Sequence, residues 1–137
     1  MRNDPVSLLP PERTLDGTIG IEIVDADQEL AHARLPVTDR VRQAYGIVHG
    51  GAYATLGEAL ASITTALAVM NDGMIAVGQS NQTSFFRPIS EGTVHAEARR
   101  RHRGRTSWVW DVDFTDDEGR LCATTRVTMA IRPARKT

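Results

Sequence analysis

The sequence contains a single cysteine among its 137 residues, and this scarcity excludes a fold held together by intrachain disulfide bonds. Cys122 has no partner in the chain, which favours a reducing compartment. The net charge is only −1, so the overall charge does not indicate nucleic acid or an anionic membrane as a partner. The chain does not open with a basic segment followed by an apolar run, so we expect no signal peptide and a cytoplasmic location.

Charge is also scarce between Gly46 and Met70, where Glu58 is the only residue with a charge at neutral pH. This segment is rich in Gly, Ala and Thr and is interrupted by His49 and Glu58, a composition that argues against a membrane span. The length predicts a single domain over residues 1–137 that buries roughly two-thirds of its unfolded surface. The isolated carboxylate in this segment therefore needs an explanation.

The order of predicted elements is two strands, one long helix and four strands. A helical turn is predicted from Pro11, a β-hairpin over 18–24 and 30–37, a helix from about Gly51 to Met70, and strands over 74–87, 93–103, 105–115 and 120–132. The "NDG" turn at 71–73 ends the helix. Each apolar face must find a partner, so we predict an α+β fold in which an antiparallel sheet packs around the helix.

The predicted helix carries an apolar stripe and a nearly uncharged opposite face. The stripe, which we expect to face the sheet, consists of Leu56, Leu60, Ile63 and Leu67. Glu58 lies on the opposite face together with Thr55, Ser62, Thr65 and Val69. A solvated helix face normally carries several charged residues with partners one turn away. We therefore expect a second subunit to cover this face, which implies an oligomer.

An enclosed carboxylate without a partner is costly, so it is more often retained for function than for stability. Gly51 lies two helical turns before Glu58 on the same face, and we expect its backbone N–H to be free at the helix start. This pairing suits acyl transfer, because the N–H can hold an oxyanion while the carboxylate attacks or activates water. Ser62 can orient that water or the carboxylate. The "HGG" at 49–51 also occurs in the oxyanion loop of lipases and esterases. An α/β-hydrolase is excluded, however, because the chain lacks their G-x-S-x-G turn.

The segment from Gln43 to Ser62, "QAYGIVHGGAYATLGEALAS", resembles the signature of hotdog-fold acyl-CoA thioesterases. It is most similar to the 4-hydroxybenzoyl-CoA thioesterase or PaaI-like type, whose carboxylate is a glutamate on the central helix. The strand-rich second half of the chain is also similar to this family. The resemblance implies a hotdog fold, with one long helix wrapped by a curved antiparallel sheet. It further implies dimers that share active sites and commonly a homotetramer of two dimers.

The resemblance also implies roles for individual residues. Glu58 would be the nucleophile or the general base, and Gly51 would donate its N–H to the thioester carbonyl. Gln43 would contact the thioester, His49 would support its loop, and Ser62 would lie near the water. Several relatives have histidine or Ser-His before the "RP" of the third strand, whereas this chain has two phenylalanines, at 85 and 86. That difference removes a polar contact to the acyl group.

The run "RRRHRGR" at 99–105 is the densest cluster of charge. It has two interpretations: a solvated hairpin end, or a site for the phosphates of CoA, because arginine forks bind phosphate in a bidentate manner. The resemblance favours the second and points to Arg103, Gly104, Arg105 and Thr106. The histidines at 32, 95 and 102 lack metal-ligand spacing, so we expect no metal. We also expect no cofactor, since CoA is part of the substrate.

Three functions are compatible with the sequence. The first is hydrolysis of an aryl- or medium-chain acyl-CoA thioester by Glu58. The second is a hydratase or dehydratase of the same fold that uses His49 and Glu58 for proton transfer. The third is an acyl-CoA-binding module without turnover. The sequence leaves open the acyl group, the choice between nucleophilic and general-base catalysis, the arginines that contact phosphate, and the choice between dimer and tetramer.

Overall fold

One long helix packs against a six-stranded antiparallel sheet in a computed structural model that describes residues 8–134. The helices are α1 (Leu15–Ile19) and α2 (Gly50–Val69), and the strands are β1 (Glu22–Ala26), β2 (Leu30–Pro36), β3 (Met74–Phe85), β4 (Thr93–Arg103), β5 (Ser107–Thr115) and β6 (Leu121–Pro133). Short 3₁₀ turns cover Pro11–Arg13, Asp39–Val41 and Met70–Asp72. The strand order β1-β2-β4-β5-β6-β3 leaves β1 and β3 at the edges.

The predicted order of elements is confirmed, with one correction near the N-terminus. The predicted first strand over 18–24 is wrong at its start, because the chain forms α1 there and β1 begins only at Glu22. The side chain of Thr14 caps α1 by accepting a hydrogen bond from the Gly17 N–H at 3.1 Å. Gly20, with φ of 91°, ends this helix in the left-handed region that favours glycine.

Helix α2 lies directly on the inner face of the sheet at Gly57. A Cβ atom at this position would lie 2.4 Å from Cγ2 of Thr125 on β6 and 3.1 Å from the ring of Phe114 on β5. Glycine therefore permits the close approach of helix and sheet. The largest fully buried side chains around this contact include Trp108, Trp110, Phe114, Leu56, Leu60, Met129 and Val127. By length and composition α2 could also cross a membrane, but half of its most apolar stretch is buried inside this chain.

The predicted apolar stripe of α2 is correct in its first half only. Leu56 and Leu60 are fully buried, whereas Leu67 is 48% exposed, so its predicted place against the sheet is wrong. The sheet instead buries Thr65 and Val69, which the helical wheel placed on the face of Glu58. Trp110 of β5 donates its indole N–H to the Thr65 hydroxyl at 2.9 Å. A wheel cannot show that a curved sheet contacts different faces of the helix along its length.

Candidate active site

Glu58 lies in an open pocket of about 410 Å³ on the side of α2 that faces away from the core. Mostly small or polar side chains surround it, together with one large apolar side chain, Leu15: Ala54, Thr55, Ala59 and Ser62 of α2, Leu15 and Asp16 of α1, and Asn81 of β3. We call this site the Glu58 pocket. The structure thus brings Glu58 and Ser62 together, as the sequence predicted.

The carboxylate of Glu58 is unpaired, since it makes no hydrogen bond or ion pair within residues 8–134. In the single chain the residue is exposed, while Thr55 and Ser62 beside it are half-buried. The enclosure predicted for Glu58 is therefore not provided by its own chain, and its cover by a second subunit stays a prediction. The carboxyl carbon lies 3.1 Å from the position that a Cβ atom on Gly78 would occupy, which places Glu58 against β3.

Asp16 is a second carboxyl of the Glu58 pocket that the sequence analysis missed. Packing of α1 against α2 removes part of the hydration of this otherwise exposed group, and Glu58 adds a like charge; together they raise the pKa of Asp16 above its usual value. The sequence held no signal for this contact, because Asp16 lies 42 residues before Glu58 and in a segment predicted as loop.

The loop before α2 is fixed by backbone hydrogen bonds to two flanking segments. The His49 N–H donates to the Val41 carbonyl at 2.7 Å, and the Val48 N–H donates to the Ile89 carbonyl at 2.8 Å. Within the loop, the side-chain oxygen of Gln43 accepts a hydrogen bond from the Tyr45 N–H. The carboxamide oxygen of Gln43 is thereby engaged, and its NH₂ group is left to donate to a ligand.

The prediction that the Gly51 N–H is free is wrong, because this N–H donates to the side chain of His49. His49 is the N-cap of α2, and its Nδ1 accepts a hydrogen bond from the Gly51 N–H at 2.8 Å. The preceding amide, that of Gly50, makes no hydrogen bond within residues 8–134. The donor left free at the helix start is therefore Gly50 rather than Gly51. The ring of Phe85 lies across Gly50, within 2.8 Å of the position of an added Cβ.

The predicted site residues fall into two groups in one chain. Gln43, His49 and Gly51 lie at or before the start of α2, and none of them lines the Glu58 pocket. Gly51 lies about 10 Å from Glu58 along the helix axis. The two groups are therefore neighbouring surfaces rather than one cavity of the isolated chain.

The basic hairpin between β4 and β5 also lies outside the Glu58 pocket. The guanidinium of Arg103 stacks over the ring of Trp108 at 5.3 Å, so this side chain is held by the fold. Gly104 closes the hairpin by donating its N–H to the Ser107 carbonyl at 2.8 Å. Arg105 and Thr106 are exposed, and within the described part of the chain Arg105 has no ion-pair partner.

Comparison with known proteins identifies the family of this chain. Residues 45–123, more than half of the sequence, match the thioesterase superfamily. This protein belongs to the thioesterase superfamily. The proofreading thioesterase EntH of Cronobacter turicensis is 36% identical over 118 residues, which cover 86% of this chain and 85% of that protein.

Solved structures of other superfamily members agree with this assignment. A mutant thioesterase from Pseudomonas aeruginosa superimposes with a TM-score of 0.85 at 34% identity, covering 89% of this chain and 88% of that one. A thioesterase from Haemophilus influenzae gives a TM-score of 0.84 at 29% identity and covers 90% of this chain and 86% of that one. The predicted hotdog fold is confirmed, and this thioesterase superfamily member is a thioester hydrolase.

Proposed function

We propose that the protein hydrolyses an acyl-CoA thioester to a free acid and CoA, with Glu58 as nucleophile or general base. The observation that carries this proposal is the carboxylate of Glu58, which has no partner within residues 8–134 and lies in an open pocket. Either Glu58 or a water that it activates attacks the carbonyl carbon, and Ser62 orients that water. The carbon–sulfur bond then breaks, and the thiolate of CoA leaves with the electron pair and is protonated. If Glu58 is the nucleophile, an anhydride of the acyl group with Glu58 remains, and a water molecule hydrolyses it to the free acid and the carboxylate. If Glu58 is the base, it takes a proton from the attacking water and passes it to the thiolate.

The Gly50 N–H is the donor that we assign to the thioester carbonyl, in place of the Gly51 N–H that is bonded to His49. A free amide at the first turn of a 20-residue helix also benefits from the positive end of the helix dipole. Both features stabilise negative charge on the carbonyl oxygen in the transition state. The NH₂ group of Gln43 supplies a second donor, because its amide oxygen is held by Tyr45.

A shared site between two copies would bring these donors to Glu58. Strand β3 is 12 residues long and lies at the edge of the sheet, so its outer backbone groups are free to pair with another strand. We propose a homodimer in which the loop from Gln43 to Gly50 of one copy faces the Glu58 pocket of the other. Two such dimers form the tetramer that we propose. The single, buried Cys122 supports a cytoplasmic location.

Variants of one relative support the importance of a glutamine and a glutamate. Structures of a thioesterase from Staphylococcus aureus have been solved with a glutamine or a glutamate replaced by alanine. At 32% identity, each structure superimposes with a TM-score of 0.83. The two replaced positions are as far apart in that sequence as Gln43 and Glu58 are here. This spacing supports a joint role for the two residues in this chain.

The surroundings of Gly50 support an apolar acyl group. Phe85 and Phe86 are 56% and 59% exposed, and Phe85 lies against Gly50. An acyl group whose carbonyl meets the Gly50 N–H would contact this ring, which favours an aryl or medium-chain aliphatic group over a hydroxylated one. For the nucleotide end of CoA, we propose that Arg105 and Arg103 bind the phosphates beside Gly104 and Thr106.

Replacement of Glu58 tests this function. Glu58→Gln and Glu58→Ala should lower kcat by at least about a hundredfold, because either role of the carboxylate is lost. Release of free thiol from aryl, aliphatic and hydroxylated acyl-CoAs is the measurement. Glu91→Gln, at an exposed turn outside the pocket, is the control and should keep wild-type turnover. Equal turnover with and without Glu58 would contradict the proposal.

The same assay separates the two alternatives. A hydratase would pair His49 with Glu58, but Nδ1 of His49 is engaged as the acceptor of the Gly51 N–H, which leaves only Nε2 for proton transfer. Such an enzyme would form an enoyl product without free thiol. A binding module would retain acyl-CoA with no product at all. The membership in the thioesterase superfamily favours thiol release over both.

A further inference from the structure

The carboxylate of Glu58 lies beside the position where Gly78 of β3 would carry a side chain. A Cβ atom on Gly78 would lie 3.1 Å from the carboxyl carbon, 3.1 Å from Oε2 and 3.4 Å from Oε1 of Glu58. The two distances of 3.1 Å are tighter than most contacts of a Cβ atom, so the carboxylate would have to shift by a few tenths of an ångström to admit a side chain at 78. The space that Gly78 leaves is thus occupied by the carboxylate of Glu58.

The backbone of β3 does not itself require glycine at this position. The φ angle of Gly78 is not positive, so another residue can adopt this conformation. Glycine in a strand interior lowers stability, because it has no side chain to pack and loses more conformational freedom on folding. Gly78 therefore has a cost in stability, and the contact with Glu58 accounts for its presence.

An irregularity in the pairing of β3 with β6 places a second contact with α2 beside Gly78. The register shifts between Gly78 and Ser80, which marks a β-bulge. Before the bulge the even-numbered residues Ala76 and Gly78 face α2, and after it the odd-numbered residue Asn81 does so. Gly78 before the bulge and Asn81 after it therefore both lie against the helix.

Asn81 holds the helical turn that carries Glu58. Its side-chain NH₂ donates to the carbonyl of Ala54 at 3.0 Å, the carbonyl that the α-helical pattern also pairs with the Glu58 N–H. The hydroxyls of Thr83 and Thr125 donate to Oδ1 of Asn81 at 2.7 and 3.1 Å, which fixes the orientation of the amide. The helix is thus attached to β3 one turn before the carboxylate.

We propose that Gly78 is a positioning residue for the reaction. Because glycine has no side chain, it leaves room for the Glu58 carboxylate to lie against the bulge of β3 in its reactive orientation. This inference rests on the proposed function of Glu58. Gly78 does not touch the substrate in this proposal and acts only through the carboxylate. The bulge serves to place the glycine and Asn81 on the same face of the strand.

A graded series at position 78 tests the inference. Gly78→Ala should lower kcat about tenfold and Gly78→Val about a hundredfold, since small displacements of reacting groups have effects of this size. KM should change little, because the substrate contacts are kept. The melting temperature should be unchanged or higher in Gly78→Ala, since alanine is favoured over glycine in a strand. Gln82→Ala, on the outer face of β3, is the control and should keep kcat.

A second comparison separates a positioning role from a structural one. Glu58→Asp withdraws the carboxylate from β3 by one methylene, so adding Gly78→Ala to it should cost much less than tenfold. A crystal structure of Gly78→Ala should show the Glu58 carboxylate displaced from its position, in an oligomer of unchanged size. If Glu58→Gln abolishes turnover while Gly78→Ala and Gly78→Val retain wild-type kcat, this inference is overturned and the proposed function stands. If Glu58→Gln retains turnover, the proposed function fails and this inference fails with it.

Discussion

Thr64 and Thr65 are adjacent threonines on α2 that are both fully buried, but among residues 8–134 only Thr65 has a hydrogen-bond partner for its hydroxyl. The Thr65 hydroxyl donates to the Ala61 carbonyl at 2.7 Å and accepts from the Trp110 indole N–H at 2.9 Å. The Thr64 hydroxyl finds no partner within residues 8–134. The pair therefore separates the value of a buried hydrogen bond from the cost of burying a hydroxyl.

We expect the same substitution to have opposite effects at these two positions. Thr65→Val should lower the free energy of unfolding by about 1–3 kcal/mol, because it leaves the Trp110 N–H buried without an acceptor. Thr64→Val should be neutral or stabilising, because it removes a hydroxyl that lacks a partner. Urea unfolding at one fixed protein concentration measures both, since stability of an oligomer depends on concentration. Equal losses at the two positions would contradict this account.

Residue identity alone was not enough to select the amide donor of the site. The sequence shows two consecutive glycines before the helix, and both amides are potentially free at its start. The side chain of His49 decides between them by accepting from Gly51, which is a matter of rotamer and loop geometry. Gly78 did carry a signal, because glycine inside a predicted strand often marks a bulge or a close approach.

Strands β5 and β6 are joined on the outer face of the sheet by an ion pair between Asp111 and Arg126. These residues are direct partners in the register, with Arg126 donating from Nε at 2.8 Å and from an η nitrogen at 3.0 Å. The hydrogen bonds from Arg126 lower the pKa of Asp111 below its usual value. Arg101 of β4 lies 3.4 Å from the same carboxylate, so the group links three strands.

Asp111→Asn should therefore destabilise the protein in a pH-dependent manner. A carboxyl whose pKa is lowered in the folded state contributes stability above its unfolded pKa, and this contribution is lost as the pH falls through the folded value. The variant should be less stable than the wild type at pH 7, and the difference should close below about pH 4. Urea unfolding between pH 3 and 7 is the measurement. Asp113→Asn is the control, because Asp113 has no ion pair within residues 8–134; its stability relative to the wild type should not depend on pH in this way. If it does, the ion pair of Asp111 is not the cause of the pH dependence.

At the scale of elements, the strands were predictable where one face is buried and the other solvated. β4 and β6 alternate in this way, so their predicted bounds lie within one residue of those observed. α1 was missed because five residues give too little periodicity, and its existence depends on the cap at Thr14 and on Gly20. The exposed position of Leu67 was not predicted, because the curved sheet contacts different faces of α2 along its length.

The whole molecule places the two groups of site residues on separate surfaces, and mixing two inactive variants tests whether copies share the site. Glu58→Ala and Gln43→Ala should each be inactive alone, yet co-refolded chains should regain about a quarter of wild-type turnover, since half of the dimers are mixed and hold one intact site of two. Thiol release from an acyl-CoA is the measurement.

The design includes its own control. Mixing Glu58→Ala with Ser62→Ala, two residues of the same pocket, should restore no activity because both belong to one half of the site. If the Gln43 and Glu58 variants also fail to complement while sequential affinity purification on two different tags, one on each variant, recovers mixed dimers, the site lies within one chain. In that case the proposed arrangement of copies would be wrong, although catalysis by Glu58 would not be.

The sequence by itself determined the order of elements, the family and the candidate carboxylate, because hydrophobic periodicity, turn residues and the segment from Gln43 to Ser62 are local properties of the chain. Only the tertiary structure decided which amide is free at the start of α2, that Asp16 and Asn81 line the Glu58 pocket, and that the carboxylate lies beside Gly78. These facts join residues that are distant in sequence, or depend on side-chain conformations, and packing of the sheet around the helix sets both.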